Sequence, residues 1–376
     1  MRQPLRDPKR FRVADLAASL SAALNPGLSE ETNTMRLLAS AILGGLAAAL
    51  ASLALPAAAQ PAADAVSAIR ARGALVCGTA PSTVGFATPD SAGRFRGIDA
   101  DYCRAVAAAL LGDGEKARIV PTTTQQRFTQ LQSGEIDVLS RITTWTLSRE
   151  GSLGLAFAGV NVYDGQGFIV KTSLGITSAK QLDGATICMQ PGSTTELNAA
   201  DWFRTNNLRM TPVLIEDIEE ARKAFFSGRC DAYSTDSTAL AAMRYNQGDN
   251  ASQYMVLPEI ISKEPLGIAI RKGDWKFFDI VRWTHFALLT AEELGLTAAN
   301  IDSFADSTNP DIQRFLGKTG DLGKMLGLQP DWAVRVIKAV GNYGEVWDRN
   351  LAPLGIPRGI NNLWNKGGVQ YAPPMR

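Results

Sequence analysis

Histidine is almost absent, with His285 the only one in 376 residues. Cysteine is scarce too: Cys77, Cys103, Cys188 and Cys230 include no CxxC pair. A zinc site or a histidine-centred catalytic triad therefore has too few parts, which removes most hydrolase and metalloenzyme classes and implies no metal or other cofactor. Charge of one sign is also lacking, 38 Lys and Arg standing against 37 Asp and Glu for a net of +1. Nucleic acid and acidic surfaces lose their main electrostatic argument as partners. What remains is a globular composition, 45% hydrophobic and 20% charged, with length for about two domains and ample cores.

Residues 37–55 form an apolar run without a charge, preceded by Arg36 and followed by Pro56-Ala57-Ala58-Ala59, the small-residue pattern of a secretory cleavage site. The expectation is a leader over residues 1–59 that is cleaved after Ala59. Counted from Met1 it exceeds the usual ~15–30 residues, whereas counted from Met35 it falls within them, which makes Met35 the expected start. An uncleaved anchor is the alternative, since the run approaches the ~20 residues that span a bilayer. All four cysteines follow the leader, and an even count in an exported chain favours disulfides over buried free thiols. Of the three pairings, Cys77–Cys103 and Cys188–Cys230 each join neighbouring elements within one α/β unit, and each closes a loop worth roughly 3–4 kcal/mol.

Residues 63–72 read as a helix stopped by Gly73, and residues 74–78 as a strand. In residues 99–111, Tyr102, Val106 and Leu110 share a helical face, with Asp99 and Asp101 in the first turn where the helix dipole favours carboxylates. A strand at 117–120, a helix at 125–132 and a strand at 136–139 continue the alternation, which predicts an α/β fold with a largely parallel sheet. The pattern S-G-x-x-D-x-x-S occurs at 133–140 and again at 227–234, each time after a helix and opening a strand. Shared turn chemistry and true structural repetition account for it equally well. Glycine-bearing extended segments predict two hinges, at about 163–168 and 264–270, so that residues 60–165 and 270–376 build one lobe and 168–262 an inserted second. Helices are expected at 276–294 and 331–340, and the tail from Pro353, rich in Gly, Pro and Asn, reads as loosely wrapped.

Three segments carry candidate chemistry. Residues 140–149 lie just past a strand end, where open α/β sheets place their ligands, and bring hydroxyls together with Arg149. A guanidinium matches a carboxylate bidentately and Thr144 can add a hydrogen bond, although both residue types are ordinary in loops. In residues 190–196, Ser193-x-x-Glu196 is a capping box, which leaves Gly192 and Thr194 free for an anion at the helix N-terminus. Asp236 follows the second S-G-x-x-D-x-x-S strand, in the position matching the arginine loop of the first. It could accept an ammonium group or simply cap the helix that begins near Ser237.

The strings Asp137-Val138-Leu139-Ser140-Arg141, Thr143-Thr144-Trp145-Thr146-Leu147-Ser148-Arg149, Gly192-Ser193-Thr194-Thr195-Glu196-Leu197-Asn198 and residues 257–267 (LPEIISKEPLG) together resemble the periplasmic general L-amino-acid-binding proteins of ABC transporters, extracellular solute-binding protein family 3. The resemblance covers nearly the whole chain after the leader. It implies a two-lobed periplasmic-binding-protein fold of type II, each lobe a mixed sheet flanked by helices, joined by two hinge strands. It further implies a monomeric periplasmic receptor, not an enzyme, that closes on an L-amino acid and presents it to an inner-membrane ABC permease. Carried across, Arg149 and Thr144 hold the α-carboxylate, Thr194 is the helix-terminal hydroxyl, Asp236 takes the α-ammonium, and Gly192, Phe86 and Thr83 join the site. Relatives often carry aromatic walls where Thr83 and Thr124 stand here, and a small or polar residue at Ile142, so a roomy pocket of broad specificity is expected. Two other classes use similar folds. One is a periplasmic dehydratase of a prephenate-like acid, with Glu196 or Glu264 as the acid. The other is a sensory ligand domain, expected to lead into a membrane helix and signalling domains, neither of which is read before Arg376.

Overall fold

The computed structural model describes residues 64–376; the leader, the Met35 start and the Ala59 cleavage lie outside the described residues. Helix α1 (Ala65–Arg72) begins at Asp64, whose carboxylate accepts the Ser67 N–H, and stops at Gly73 in the left-handed region. Strand β1 (Leu75–Thr79) is buried along its whole length. A short hairpin, β2 (Thr88–Pro89) and β3 (Phe95–Arg96), leads into α2 (Ile98–Leu111), which is buried on nearly every face. Then follow β4 (Ala117–Pro121), α3 (Arg127–Ser133), β5 (Val138–Leu139), α4 (Leu147–Gly151) and β6 (Leu155–Asp164).

At Gly165 the chain passes into a second sheet and its helices, in the chain order β7 (Gln166–Lys171), β8 (Ala185–Met189), α5 (Thr194–Thr205), β9 (Met210–Leu214), α6 (Ile218–Phe226), β10 (Ala232–Asp236), α7 (Ser237–Tyr245) and β11 (Tyr254–Val256). Its order is β11-β7-β10-β8-β9. The chain then returns as β12 (Glu264–Arg271), which completes the first sheet in the order β4-β1-β5-β12-β6. Both sheets are mixed rather than largely parallel. Strand β12 comes back from the other sheet and so runs antiparallel to both β5 and β6, as β7 does to β10 and β11. The segment that begins at Glu264 is therefore a strand of the first sheet, and the return crossing precedes it, between Val256 and Glu264.

The repeated S-G-x-x-D-x-x-S pattern corresponds to a repeated structure. Gly134 and Gly228 both take positive φ, at 84° and 86°. Asp137 accepts the Val76 N–H on β1 at 2.8 Å, and Asp231 accepts the Thr186 N–H on β8 at 2.8 Å. In each sheet this carboxylate clips the new strand to its parallel neighbour. Cys77 is joined to Cys103, and Cys188 to Cys230. The single histidine is structural: His285 is buried with Nδ1 2.9 Å from the Tyr102 hydroxyl, and burial pushes its pKa down to about 4, leaving it neutral.

Helices α8 (Trp275–Glu293), α9 (Pro310–Phe315), α10 (Leu322–Met325), α11 (Trp332–Val340) and α12 (Tyr343–Asn350) follow. On α11 the buried positions Trp332, Ala333, Val336, Ile337 and Val340 recur at helical spacing, and this stripe packs on α2. The tail is not loose. Strand β6 is an edge of its sheet, so its outer backbone groups need partners from elsewhere. Asn361 supplies both kinds: its Oδ1 accepts the Tyr163 N–H at 2.7 Å and its Nδ2 donates to the Tyr163 carbonyl at 3.0 Å. Gln370 donates to the Val160 carbonyl at 3.0 Å, and Arg358 forks onto Glu292 at 2.7 and 3.0 Å. Replacing Asn361→Ala leaves two backbone groups of Tyr163 unpaired and should lower stability by about 2 kcal/mol, read as a fall in the urea midpoint at unchanged slope. An unchanged midpoint would show that the tail does not brace this strand.

Candidate functional site

The two sheets direct the C-terminal ends of β1, β4, β5, β8 and β10 toward each other, the crevice where α/β sheets bind ligands. Between them lies a cavity lined from the first lobe by Thr83, Thr124, Arg127, Arg141, Ile142, Thr144 and Arg149 and from the second by Ser193, Thr194, Arg222 and Asp236, among others. The segment after β5 is shaped by Asp99, which sequence reasoning had assigned only to the helix dipole. Its carboxylate accepts the Ser140 hydroxyl at 2.9 Å, the Ile142 N–H at 3.0 Å and the Asn161 amide at 3.3 Å. Ile142 is thereby held at φ 43°, a left-handed conformation that a β-branched residue rarely adopts. Burial pushes the Asp99 carboxyl up to about 6, partly offset by those three donors.

Arg149 sits in the first turn of α4 under a cap: Thr146 accepts the Arg149 N–H at 3.2 Å. The side chain is 6% exposed, donates from Nη1 to the Thr144 carbonyl at 2.8 Å, and has Cζ 5.2 Å from the Phe128 ring centroid. One of its five donors is thus used to fix the fork in place. Across the cavity, Ser193 caps α5 by accepting the Glu196 N–H at 3.2 Å. Glu196 does not complete the reciprocal capping box; it reaches back to Gly192 and accepts its N–H at 2.9 Å. Gly192, at φ 66°, accordingly lines the neighbouring outer groove and not the cavity.

Asp236 occupies the N-cap position of α7, yet its side chain makes no capping bond. That task falls to Asp164, which accepts the Thr238 N–H at 3.2 Å and the Ser237 hydroxyl. The helix-cap explanation of Asp236 is thus ruled out, and the carboxylate is left facing the cavity. Burial, with Asp164 and Glu264 nearby, holds the Asp236 carboxyl well above the usual carboxylate range. Phe86 is a correction: it is 1% exposed within the core of the first lobe and does not line the cavity. The turn in which Ala87 N–H donates to the Thr83 carbonyl and Thr83 N–H to the Ala87 carbonyl, both at 2.8 Å, keeps Thr83 at the cavity.

Glu264 ties the elements together. It is 2% exposed, and its carboxylate accepts from Thr194 Oγ1 at 3.0 Å, Asn198 Nδ2 at 2.7 Å, Ser262 Oγ at 2.6 Å and Thr144 Oγ1. Its donors therefore come from both lobes and from the return crossing. Further bonds cross the cleft where Arg222 donates to the Ser82 carbonyl at 2.6 Å and Glu216 accepts the Gln125 N–H at 3.1 Å. Among the described residues no cluster of His, Cys, Asp and Glu could hold a metal ion.

Residues 75–299 match the bacterial extracellular solute-binding proteins, family 3. The chain belongs to this family. It is 53% identical over 316 residues to the general L-amino acid-binding periplasmic protein of Rhizobium johnstonii, which covers 83% of this chain and 92% of that one. It is also 53% identical over 312 residues to the glutamate/glutamine/aspartate/asparagine-binding protein of Rhodobacter capsulatus, covering 82% and 92%. Among solved structures, a periplasmic binding protein of an ABC transporter from Brucella ovis with glutathione bound superposes with a TM-score of 0.81 at 53% identity, covering 84% of this chain and all of that one. The cavity bounded by the two lobes is the candidate solute site of this family 3 protein. Removing the junction by Glu264→Ala should cost about 3 kcal/mol, because buried donors on Thr144, Thr194 and Asn198 lose a charged acceptor. Chemical denaturation of the ligand-free protein measures it, and a loss below about 0.5 kcal/mol would remove the junction from the stability of the closed arrangement.

Proposed function

We propose that this protein is the periplasmic solute-binding component of an ABC transporter for L-amino acids, a carrier and not an enzyme, and that it delivers its ligand to inner-membrane permease subunits. The observation that carries this reading is the pairing of Arg149 with an uncapped Asp236 in one cavity, on opposite lobes. A guanidinium fork on one wall and a carboxylate on the other complement the two charged groups on the α-carbon of an amino acid. Arg149 takes the α-carboxylate, joined by Thr144 and Thr194 when their hydroxyls turn from Glu264 to the ligand, while Asp236 takes the α-ammonium. Closure turns on the two crossings, at about 163–168 and immediately before β12, and removes water from these charge contacts, which strengthens them. The glutamate, glutamine and general amino-acid specificities of the relatives, together with the glutathione bound in the Brucella structure, support a ligand bearing these α-groups and tolerance of varied side chains. The carrier reading is further supported by the engagement of both carboxyls that a dehydratase would need as its acid: Glu196 accepts the Gly192 N–H and Glu264 receives four donors.

Calorimetric titration of the chain from Gln60 onward, stripped of carried-over ligand by unfolding and refolding, tests the reading against L-amino acids, their D-isomers and prephenate. Several L-amino acids should bind without being consumed; silence toward all of them, with turnover of another acid, would overturn it. Arg149→Lys should weaken every ligand by tenfold or more, since an ammonium cannot reproduce the paired donors, and unchanged affinities would take Arg149 out of the site. Asp236→Asn should penalise amino acids more than the corresponding keto acids. There is also a pH signature. Burial and the neighbouring acids hold the Asp236 carboxyl well above the usual carboxylate range, and an ammonium partner favours its ionised form, so binding should release a proton and affinity should rise with pH until that carboxyl ionises on its own. Titrations in buffers of different protonation enthalpy read that proton directly; no release between pH 5 and 8 would separate Asp236 from the ammonium group.

A further inference from the structure

Asp99 is not among the residues that line the cavity, yet it holds the loop that is. It is buried in the first turn of α2, and its donors come from Ser140 and Ile142 on that loop and from Asn161 on β6. The loop bends at Ile142, where φ is 43°, and the Thr143 hydroxyl closes the bend by donating to the Arg141 carbonyl at 2.8 Å. Left-handed backbone is costly for a side chain branched at Cβ, so such a bend persists only while its surroundings compensate for it. The Asp99 carboxylate, accepting the Ile142 N–H at 3.0 Å, supplies that compensation. From the bend the geometry passes on to the site: Thr144 lines the cavity, and its carbonyl accepts Arg149 Nη1 at 2.8 Å.

The strength of this grip depends on charge, because hydrogen bonds to an ionised acceptor are roughly twice as strong as neutral ones. Burial pushes the Asp99 carboxyl up to about 6, while its three donors and the Arg141 cation pull it down. Besides Arg141, the groups around this position are Tyr102 on α2 and, next to Tyr102, His285 on α8, Tyr343 on α12 and Arg358 of the tail. Burial pushes both tyrosines up and the histidine down, so between pH 5 and 8 Asp99 is the member of this group whose charge changes. A proton on Asp99 also has an acceptor waiting. Asn161 Oδ1 is buried without a partner, and Nδ2 of the same amide makes only a long bond of 3.3 Å to Asp99. Half a turn of that amide presents its oxygen to a protonated Asp99, which then spends one oxygen on Asn161 and holds the bend less firmly.

We propose that Asp99 is a proton-linked positioning residue for ligand binding that acts through Ile142. Ionised, it holds the strained bend, and with it Thr144 and Arg149, in the binding geometry; protonated, it turns to Asn161 and lets the bend relax. Acidification thereby loosens the site from behind the cavity wall. This inference rests on the amino-acid reading of the cavity and adds a control on its α-carboxylate side, separate from the Asp236 contact with the ammonium group.

Asp99→Asn imitates the protonated form at every pH. The probe is whichever of the twenty L-amino acids binds the unmodified protein most tightly, and the quantity read is the ratio of dissociation constants, variant over unmodified protein, so that any pH effect of Asp236 acts on both and cancels. The ratio should be tenfold or more at pH 7.5 and fall to within threefold at pH 5, where Asp99 of the unmodified protein is itself protonated. An equal ratio at both pH values would overturn the proton linkage. In an Ile142→Gly background the ratio at pH 7.5 should shrink to within threefold, since glycine keeps a left-handed bend unaided; a ratio as large as before would show that Asp99 does not act through Ile142. Thermal midpoints of the ligand-free variants establish that they are folded. Should Asp99→Asn fail to fold, Ile142→Gly with Asp99 intact takes its place: its affinity should fall less between pH 7.5 and pH 5 than that of the unmodified protein, and an equal fall would overturn the proposal. Binding of none of the twenty by the unmodified protein would overturn the amino-acid reading and this inference with it.

Discussion

The antiparallel ladder between β6 and β12 decides where everything else can be. Asp164, the last residue of β6, and Glu264, the first of β12, are register partners, so the chain leaves for the second lobe and returns from it at adjacent points. Two adjacent crossings so close together confine the relative movement of the lobes to one region. Both partners are carboxylates in a largely dehydrated place, where each must find donors or give up its charge. Asp164 finds them on α7, and Glu264 finds them on Thr144, Thr194, Asn198 and Ser262. Satisfying these two acids is what brings the helix ends of the second lobe against the arginine loop of the first.

A consequence is a cavity whose electrostatics are incomplete without a ligand. Asp164 takes over the capping of α7, so Asp236 keeps its oxygens for the cavity; burial and the neighbouring carboxylates then disfavour its charge. On the opposite wall the arginines are held in position by carbonyls and hydroxyls rather than by acids. Groups fixed in advance lose little freedom when a complementary ligand arrives, and their desolvation has already been met during folding. In the proposed binding mode an amino acid, carrying both signs on one carbon, relieves Asp236 and occupies Arg149 together. Broad tolerance follows from the same arrangement, since these contacts stop at the α-carbon, and discrimination between side chains must come from elsewhere in the cavity.

Much of this was legible in the sequence because it is local. Strand-end loops, the Ser193 cap, the hydrophobic stripe of residues 332–340 and the two disulfide pairings depend on neighbours or on element order, both of which a sequence displays. What escaped is long-range. Thr144 meets Glu264 across 120 positions and Thr238 meets Asp164 across 74, and no periodicity announces such pairs. Asp99 offered a sufficient local explanation in the helix dipole, which concealed its grip on the Ile142 loop. Phe86 was misplaced for the opposite reason: closeness in sequence to Thr83 suggested a shared site, but a tight turn intervenes and carries the ring into the core.

The tail illustrates how composition misleads about order. Gly, Pro and Asn suggest a loose segment, yet Asn and Gln are the side chains best able to imitate a neighbouring strand, since each carries a peptide-like amide. At an exposed sheet edge such an amide pairs with the backbone without extending the sheet, which also denies the edge to another chain. Here the amides fall on Val160 and Tyr163, up to the penultimate residue of β6. In the proposed closing movement that placement matters mechanically. Strand β6 is paired with β12 on one side and clasped by the tail on the other, so it behaves as part of a rigid lobe as far as Tyr163. Bending is then left to Gly165 and to the segment between Val256 and Glu264, and a short flexible length between rigid bodies yields a defined rotation in place of a diffuse flexing.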